Sequence, residues 1–356
     1  MKVLLLSPYD AMSHRYWREG LVAAFPEHDF VVLSLAARHF SWRFRGNSLT
    51  LAYDAATAQQ YDLIIATSMT DLSGLLGMQP SLRDVPAILY FHENQFAYPD
   101  DSPDAHRVDR QITSIYSALA ASRLVFNSEF NRRSFLDGTR ALLKKMPDGV
   151  PQGIADDLSH KSRIIPVALG EECFKPQQRD QRNDSEFTLV WNHRWEYDKG
   201  LLELQQIVAL LLETELDFRV HLIGQSFDKK QSILLKTIEL LGQQGRLGEC
   251  GFVSDREQYL QLLSRSHCVL STARHEFQGL AVQEAMAAGC IPVVPDGLSY
   301  PEYVPAEWRY QQIEQALRLI CRAAERSEPE YPDLPRWQSS RQAWQAVMED
   351  ALHSKT

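Results

Sequence analysis

The 356-residue chain reads as an α/β protein of two doubly wound, Rossmann-like domains. Three observations predict this. The length suits two domains of roughly 100–200 residues each. Short apolar runs rich in Val, Ile and Leu alternate with helical patterns along the whole chain. Those runs are apolar on both faces, as parallel strands lying under helices are. A hydrophobic share of 44% and a charged share of 23% are enough for two buried cores and exclude disorder for most of the chain.

The elements follow in order. The first six runs are Val3–Leu6, Phe30–Leu35, Leu63–Thr67, Ala87–Phe91, Leu124–Asn127 and Arg163–Val167. A polar stretch without a strand pattern, Pro176–Ser185, then reads as an interdomain linker. Five further runs follow: Phe187–Trp191, Arg219–Ile223, Cys250–Val253, Cys268–Ser271 and Ile291–Val294. Lys144–His160, with two prolines and two glycines, reads as a surface loop. The expected organisation is an N-terminal domain over 1–175, a C-terminal domain over 186–326, and a tail over 327–356. The tail opens on a Pro-rich stretch, shows a helical pattern over Trp337–Leu352 and is expected to pack back on the first domain. Ligands of such sheets bind at the carboxyl ends of the strands, so two facing domains would form a central cleft.

The net charge of −9 argues against a chain coated in basic residues for non-specific nucleic-acid binding. The charge is uneven: −1 over residues 1–170 and −8 over 171–356. A polyanion would therefore meet the first half more readily. Five cysteines without a CxxC argue against a disulfide framework or zinc site, and for reduced thiols. The apolar start is too short for a signal peptide, and no apolar stretch approaches a membrane span. A cytoplasmic protein with no membrane partner is expected.

Chemistry-bearing residues cluster just after strand patterns. Arg274–Gly289 follows Cys268–Ser271, with Glu276 before a turn at Gly279 and a short helix over Leu280–Ala288 carrying Glu284. A helix beginning at a glycine turn offers free amides and a positive dipole end to a phosphate. Glu284, one turn in, is placed to accept hydrogen bonds from sugar hydroxyls. Asn192–Gly200 follows Phe187–Trp191 and carries Arg194 and Lys199, suited to a diphosphate. His92, Glu93, Asn94 and Gln95 follow Ala87–Phe91, and Ser13 and His14 follow the first strand. The absence of GxGxxG disfavours a dinucleotide cofactor. Trp42-Arg43-Phe44-Arg45 interleaves cations with aromatics and reads equally as a stacking surface or as a partly buried strip. Arg123–Lys145 carries a local charge of +4, either an RNA-facing patch including Arg132 and Arg133 or a solvated helix face.

The Glu276-x7-Glu284 spacing, with Arg194 and Lys199-Gly200 before it, resembles retaining glycosyltransferases of family 4, which have the GT-B fold. Ser13-His14, Ser41–Arg45, Tyr90–Gln95 and Phe126–Asn131 look like the glycosyltransferase-like domain-containing protein family, whose characterised activity is tRNA-queuosine α-mannosyltransferase. The resemblance implies GDP-mannose as donor and the cyclopentene-diol of queuosine in the anticodon of tRNA-Asp as acceptor. It implies retention, no metal and no other cofactor. The N-terminal domain would bind the tRNA and the C-terminal domain the nucleotide sugar.

Carried onto this chain, Glu276 would contact the transferred sugar, and the backbone amides of Gly279 and Leu280 the sugar and phosphate. Glu284 would hold the donor ribose, and Arg194 and Lys199 the diphosphate. His92 would sit near the anomeric carbon, with Ser13 and His14 lining the donor–acceptor loop. Arg43, Arg45, Glu93, Asn94, Gln95, Asn127, Arg132 and Arg133 would face the tRNA. The segment Asp10–His14 lacks the glycine pair common in family 4. Two other readings fit the same residues: a family 4 enzyme acting on a lipid or small glycoside, and a non-catalytic RNA- or nucleotide-binding module.

Overall fold

The structure, a computed structural model, describes residues 1–97, 107–174, 186–226, 232–325 and 333–354. It divides into two compact units, Met1–Ala168 with Pro335–Thr356, and Leu169–Leu334. The expected linker at 176–185 and residues 327–332 of the tail lie outside the described residues.

The first unit runs β1 (Lys2–Asp10), α1 (Met12–Ala24), β2 (Asp29–Ala36), α2 (Phe40–Ala52), β3 (Leu63–Thr67), α3 (Leu72–Met78), β4 (Ala87–Phe91), α4 (Arg107–Ala120), β5 (Arg123–Phe126), α5 (Glu129–Lys144), α6 (Ile154–His160) and β6 (Ser162–Ile164). All six strands are parallel, in the order β2-β1-β3-β4-β5-β6. β3 and β4 are buried at every position, which is why they read as unbroken apolar runs. The Ser128 side chain accepts from the Asn131 amide at the start of α5, and Asp71 accepts from Gly74 at α3, so local chemistry starts both helices.

Two expectations are corrected here. The stretch expected as a loop contains α6, which buries Ala155 and Leu158 on one short face. Its polar residues hid so small an apolar face. Ser13 and His14 lie in the first turn of α1, and Ala11 alone joins β1 to that helix. Without the glycine pair the chain turns straight into the helix, so there is no loop.

The second unit runs β7 (Phe187–Trp191), α7 (Leu201–Leu212), β8 (Phe218–Ile223), α8 (Ser232–Gln243), β9 (Leu247–Gly251), α9 (Arg256–Arg265), β10 (Cys268–Leu270), α10 (Leu280–Ala287), β11 (Ile291–Pro295), β12 (Arg309–Tyr310) and α11 (Ile313–Ala324). Its strands are also parallel, in the order β12-β11-β10-β7-β8-β9. Sequence reading finds five of these six strands. β12 is two residues long, leaves no apolar run, and exists through pairing with Val294 and Pro295.

The chain then returns to the first unit as α12 (Trp337–His353). Trp344 sits 5.8 Å from Trp17 and 5.4 Å from Tyr90, all three buried. Arg123 holds Asp350 in a two-pronged pair at 2.5 and 2.6 Å. All five cysteines are free thiols, and Cys173, Cys268 and Cys290 are buried.

Candidate active site

In the second unit the chain leaves β7 toward β8 and returns on the other side as β10, so β7 and β10 flank the point where strand order reverses. Loops from both strands meet there. The amides of Arg274 and His275 donate to the Asp198 carbonyl at 2.9 and 3.2 Å. The Thr272 hydroxyl donates to the Lys199 carbonyl at 2.8 Å. Gly200 and Gly279 both adopt left-handed conformations, at φ 69° and 80°, and a Cβ on Gly200 would lie 1.8 Å from the Thr272 carbonyl. Only glycine lets these loops approach so closely.

Lys199 is buried at their junction. Its ammonium donates to the His275 carbonyl at 2.9 Å and to Glu276 at 3.2 Å, and lies 3.1 Å from Asp198. Burial alone would push Glu276 up, but Lys199 and the neighbouring histidines hold it down at about 2. Burial likewise opposes the charge on Lys199, and Glu276 and Asp198 overcome it and raise its pKa. His193, buried beside them, is pulled down to about 4 by burial and by Lys199, so it is neutral at pH 7. Asp198 Oδ1 and His193 Nε2 are buried with no hydrogen-bond partner among the described residues. A buried ion cluster with unused polar atoms is suited to receiving a charged, hydroxylated ligand.

Arg194 is exposed and pairs with Glu196 at 3.1 Å. Gly279 caps α10 without a side-chain bond, and Leu280 opens the helix. Glu284 is buried one turn in, where Arg256 reaches it at 2.6 Å and the Tyr259 hydroxyl donates to it at 2.9 Å. Asn192 donates to Tyr259 at 3.1 Å. Glu276 and Glu284 thus occupy separate networks, one ionic around Lys199 and one around Arg256.

In the first unit, side chains after β1 and β4 meet. The rings of His14 and His92 stack at 4.1 Å with 15° between planes. His92 also meets the edges of Trp17 at 5.0 Å and Tyr90 at 4.7 Å. Burial, with His14 adding to it, pulls the His92 pKa well below its ordinary 6.5. His14 Nε2 lies 3.1 Å from Glu93, while His14 Nδ1 and His92 Nε2 are buried without partners among the described residues. Asn94 and Asn127 are engaged in the loop itself. Asn94 donates to Asn131 at 2.8 Å, and Asn127 donates to the His92 carbonyl at 2.9 Å. Gln95 is buried and its carbonyl accepts from Gln111.

Ser13 is exposed beside His14. Arg45 is exposed and donates to Thr113, while Arg43 is half-buried. Arg132 is held by Glu129 and Ser159, and Arg140 by Asp137 and Asp156. Arg133, Lys144 and Lys145 are exposed with no ion-pair partner among the described residues. Much of the +4 expected for this segment is therefore offset by Asp350 and Asp156, which lie beyond it in sequence.

Sequence reading missed Asp198, His193, Arg256, Tyr259 and Trp17. Asp198 and His193 stand inside the segment singled out for Lys199, and adjacency was the available signal. Nothing in sequence links Arg256 to Glu284. Among the described residues no three His, Cys, Asp or Glu side chains cluster as metal ligands would, and no helix is long and apolar enough to cross a membrane.

Residues 2–169 match the family described as tRNA-queuosine alpha-mannosyltransferase N-terminal, and residues 174–307 match glycosyl transferases group 1. A tRNA-queuosine alpha-mannosyltransferase from Drosophila melanogaster is 32% identical over 330 residues, which is 90% of this chain and 87% of that one. A GDP-mannose:cellobiosyl-diphosphopolyprenol alpha-mannosyltransferase from Xanthomonas oryzae is 30% identical over 109 residues, 31% of this chain and 28% of that one. The sucrose-phosphate synthase structure from Thermosynechococcus elongatus matches at a TM-score of 0.68 and 16% identity over 98% of each chain. At that identity the likeness is one of fold, the two-domain GT-B type.

Proposed function

The chain belongs to the tRNA-queuosine alpha-mannosyltransferase family and is a glycosyltransferase, and from that premise we propose that it moves mannose from GDP-mannose to the cyclopentene-diol of queuosine in tRNA-Asp. The observation that carries the donor half is the buried Lys199 between Asp198 and Glu276 where β7 and β10 diverge. The name of the Xanthomonas relative, which carries GDP-mannose, supports the same donor. The name of the Drosophila relative supports the acceptor. The acceptor implies a cytoplasmic reaction.

The chemistry follows from the charges. The anomeric C–O bond to the diphosphate breaks through an oxocarbenium-like state, and an acceptor hydroxyl bonds to the same face of that carbon. Its proton leaves to a departing phosphate oxygen. Lys199, Arg194 and the start of α10 at Gly279 and Leu280 neutralise the diphosphate as it leaves. Glu276 accepts hydrogen bonds from the sugar and Glu284 from the donor ribose. Ser13, His14 and His92, with Glu93 fixing His14, serve the acceptor hydroxyl, and Asn94, Gln95 and Asn127 hold their loop in shape. Arg43, Arg45, Arg132 and Arg133 meet the RNA backbone.

No metal takes part in this scheme, since protein cations supply the charge that a metal would. Turnover is therefore expected to persist in excess EDTA, and abolition restored by magnesium would overturn that part. The main test incubates the protein with queuosine-containing tRNA-Asp and competing GDP- and UDP-sugars, then digests the RNA and weighs the nucleosides. A hexose on queuosine from GDP-mannose is expected. Queuosine left unmodified would sink the reading.

A further inference from the structure

Trp42, Arg45, Leu49 and Tyr53 are spaced three, four and four residues apart, so they line one stripe along α2 and its C-terminal cap. The fold does not use this stripe. α2 buries Phe44, Asn47, Ser48 and Leu51 instead. Trp42 is 57% exposed, Leu49 50% and Tyr53 86%, and Arg45 is exposed as well. The Trp42 indole lies against bare backbone at Gly46, where a Cβ would come within 2.7 Å of the ring. Arg45 is braced by the Thr113 hydroxyl of α4 at 2.7 Å.

The segment itself is basic in an acidic chain. Residues 30–53 hold Arg38, Arg43 and Arg45 and no Asp or Glu, against a net charge of −9 for the whole chain. Exposed rings beside Arg38, Arg43 and Arg45, with Asp29 and Asp54 at the two ends of the segment, favour a nucleic acid over a protein partner. The opposite side of α2, in line with buried Phe44, Asn47 and Leu51, faces the first strand. The Phe40 ring, at the start of α2, meets Tyr9 near the end of β1 edge-on at 5.6 Å, and His14 follows that same strand.

We propose that the outer face of α2 is a stacking track for unpaired RNA bases. Trp42 and Tyr53 stack on bases, and Arg45 and Arg38 meet phosphates. This rests on the reading of a tRNA acceptor and says which surface of the first unit stacks on that RNA's unpaired bases.

The test measures binding of a fluorescein-labelled tRNA-Asp anticodon stem-loop to the full chain by anisotropy. The variants are Trp42→Ala, Tyr53→Ala and Trp42→Phe, each with a thermal melt and sedimentation velocity. Trp42→Ala is expected to weaken binding about tenfold with an unchanged melt, within the range for losing one base–aromatic stack. Tyr53→Ala should weaken it severalfold, and Trp42→Phe should stay within about threefold of wild type because the ring is kept. If wild type binds and both alanine variants bind equally well, the track is wrong while the tRNA reading stands. If the alanine variants change self-association but not RNA binding, the face is a protein contact and the proposal is overturned. If wild type does not bind the stem-loop, both readings fall.

Discussion

The two strand-end sites are built from opposite materials. The second unit gathers charge, with one buried ammonium between two carboxylates and an arginine on a further glutamate. The first unit gathers aromatic rings, with two stacked histidines walled by Trp17 and Tyr90 and one carboxylate on His14. A buried ammonium beside the free amides that open α10 suits an anionic group, and the carboxylates around it suit sugar hydroxyls. An aromatic wall fits a hydroxyl and a ring instead. The difference divides the proposed reaction into a charged leaving group on one unit and an uncharged nucleophile on the other.

The sharpest way to break that division is Lys199→Ala. It removes the cation from Asp198 and Glu276, so turnover should fall by about a thousandfold and the melting temperature should drop as well. Affinity for tRNA should stay within about twofold. Steady-state kinetics and RNA anisotropy together check this, and equal losses in both would take Lys199 out of the donor site.

Arg256→Ala should act more gently. It strips Glu284 of one partner while Tyr259 remains, so the KM for the donor should rise about tenfold, as loss of one charge-assisted contact implies. A smaller change in kcat is expected. A fall in kcat alone would assign Arg256 to the chemical step.

One buried histidine in each unit should show in acid. Burial lowers the pKa of His193 to about 4 and of His92 well below 6.5, so the unfolded chain binds their protons more readily than the folded one. Their contribution to stability is complete above about 6.5 and declines as pH falls, by roughly 1 kcal/mol per pH unit for each ring. Glu276, held at about 2 when folded, adds a loss only below about 4.5. Thermal melts from pH 7.5 to 4 should show the decline, and His193→Asn should make it shallower. A melting temperature that is flat down to pH 5 would contradict the neutral state of both rings.

The smallest expected effect separates two neighbouring arginines. Arg133 is exposed and unpaired with any described acid, whereas Arg132 is held by Glu129 and Ser159. Arg133→Gln should reduce the salt slope of tRNA binding by about one, and Arg132→Gln by less. An unchanged slope for Arg133→Gln would move the RNA backbone off α5.

Much of the fold was legible because its signals are local. Leu63–Thr67 and Ala87–Phe91 are strands buried on both faces, and a continuous apolar run states that directly. β12 and α6 were not legible. A two-residue strand has no period to detect, and a helix with two buried residues has no apolar stripe. The candidate site divides in the same way. Lys199 and Glu276 could be named from their segments, but the 3.2 Å contact between residues 77 positions apart could not.

Local patterns alone set the α/β class, most of the strands, the resemblance to a family, and the segments that end at the sites. Each of these is set within a window of a dozen residues by periodicity, turns and spacing. Tertiary structure alone decided which charges are matched and which rings touch. It set Arg256 on Glu284, His14 on His92 and Asp350 on Arg123, the last pair spanning 227 positions. Those pairings arise where parallel strands bring distant loops to one edge, and no local pattern encodes a distance across a sheet.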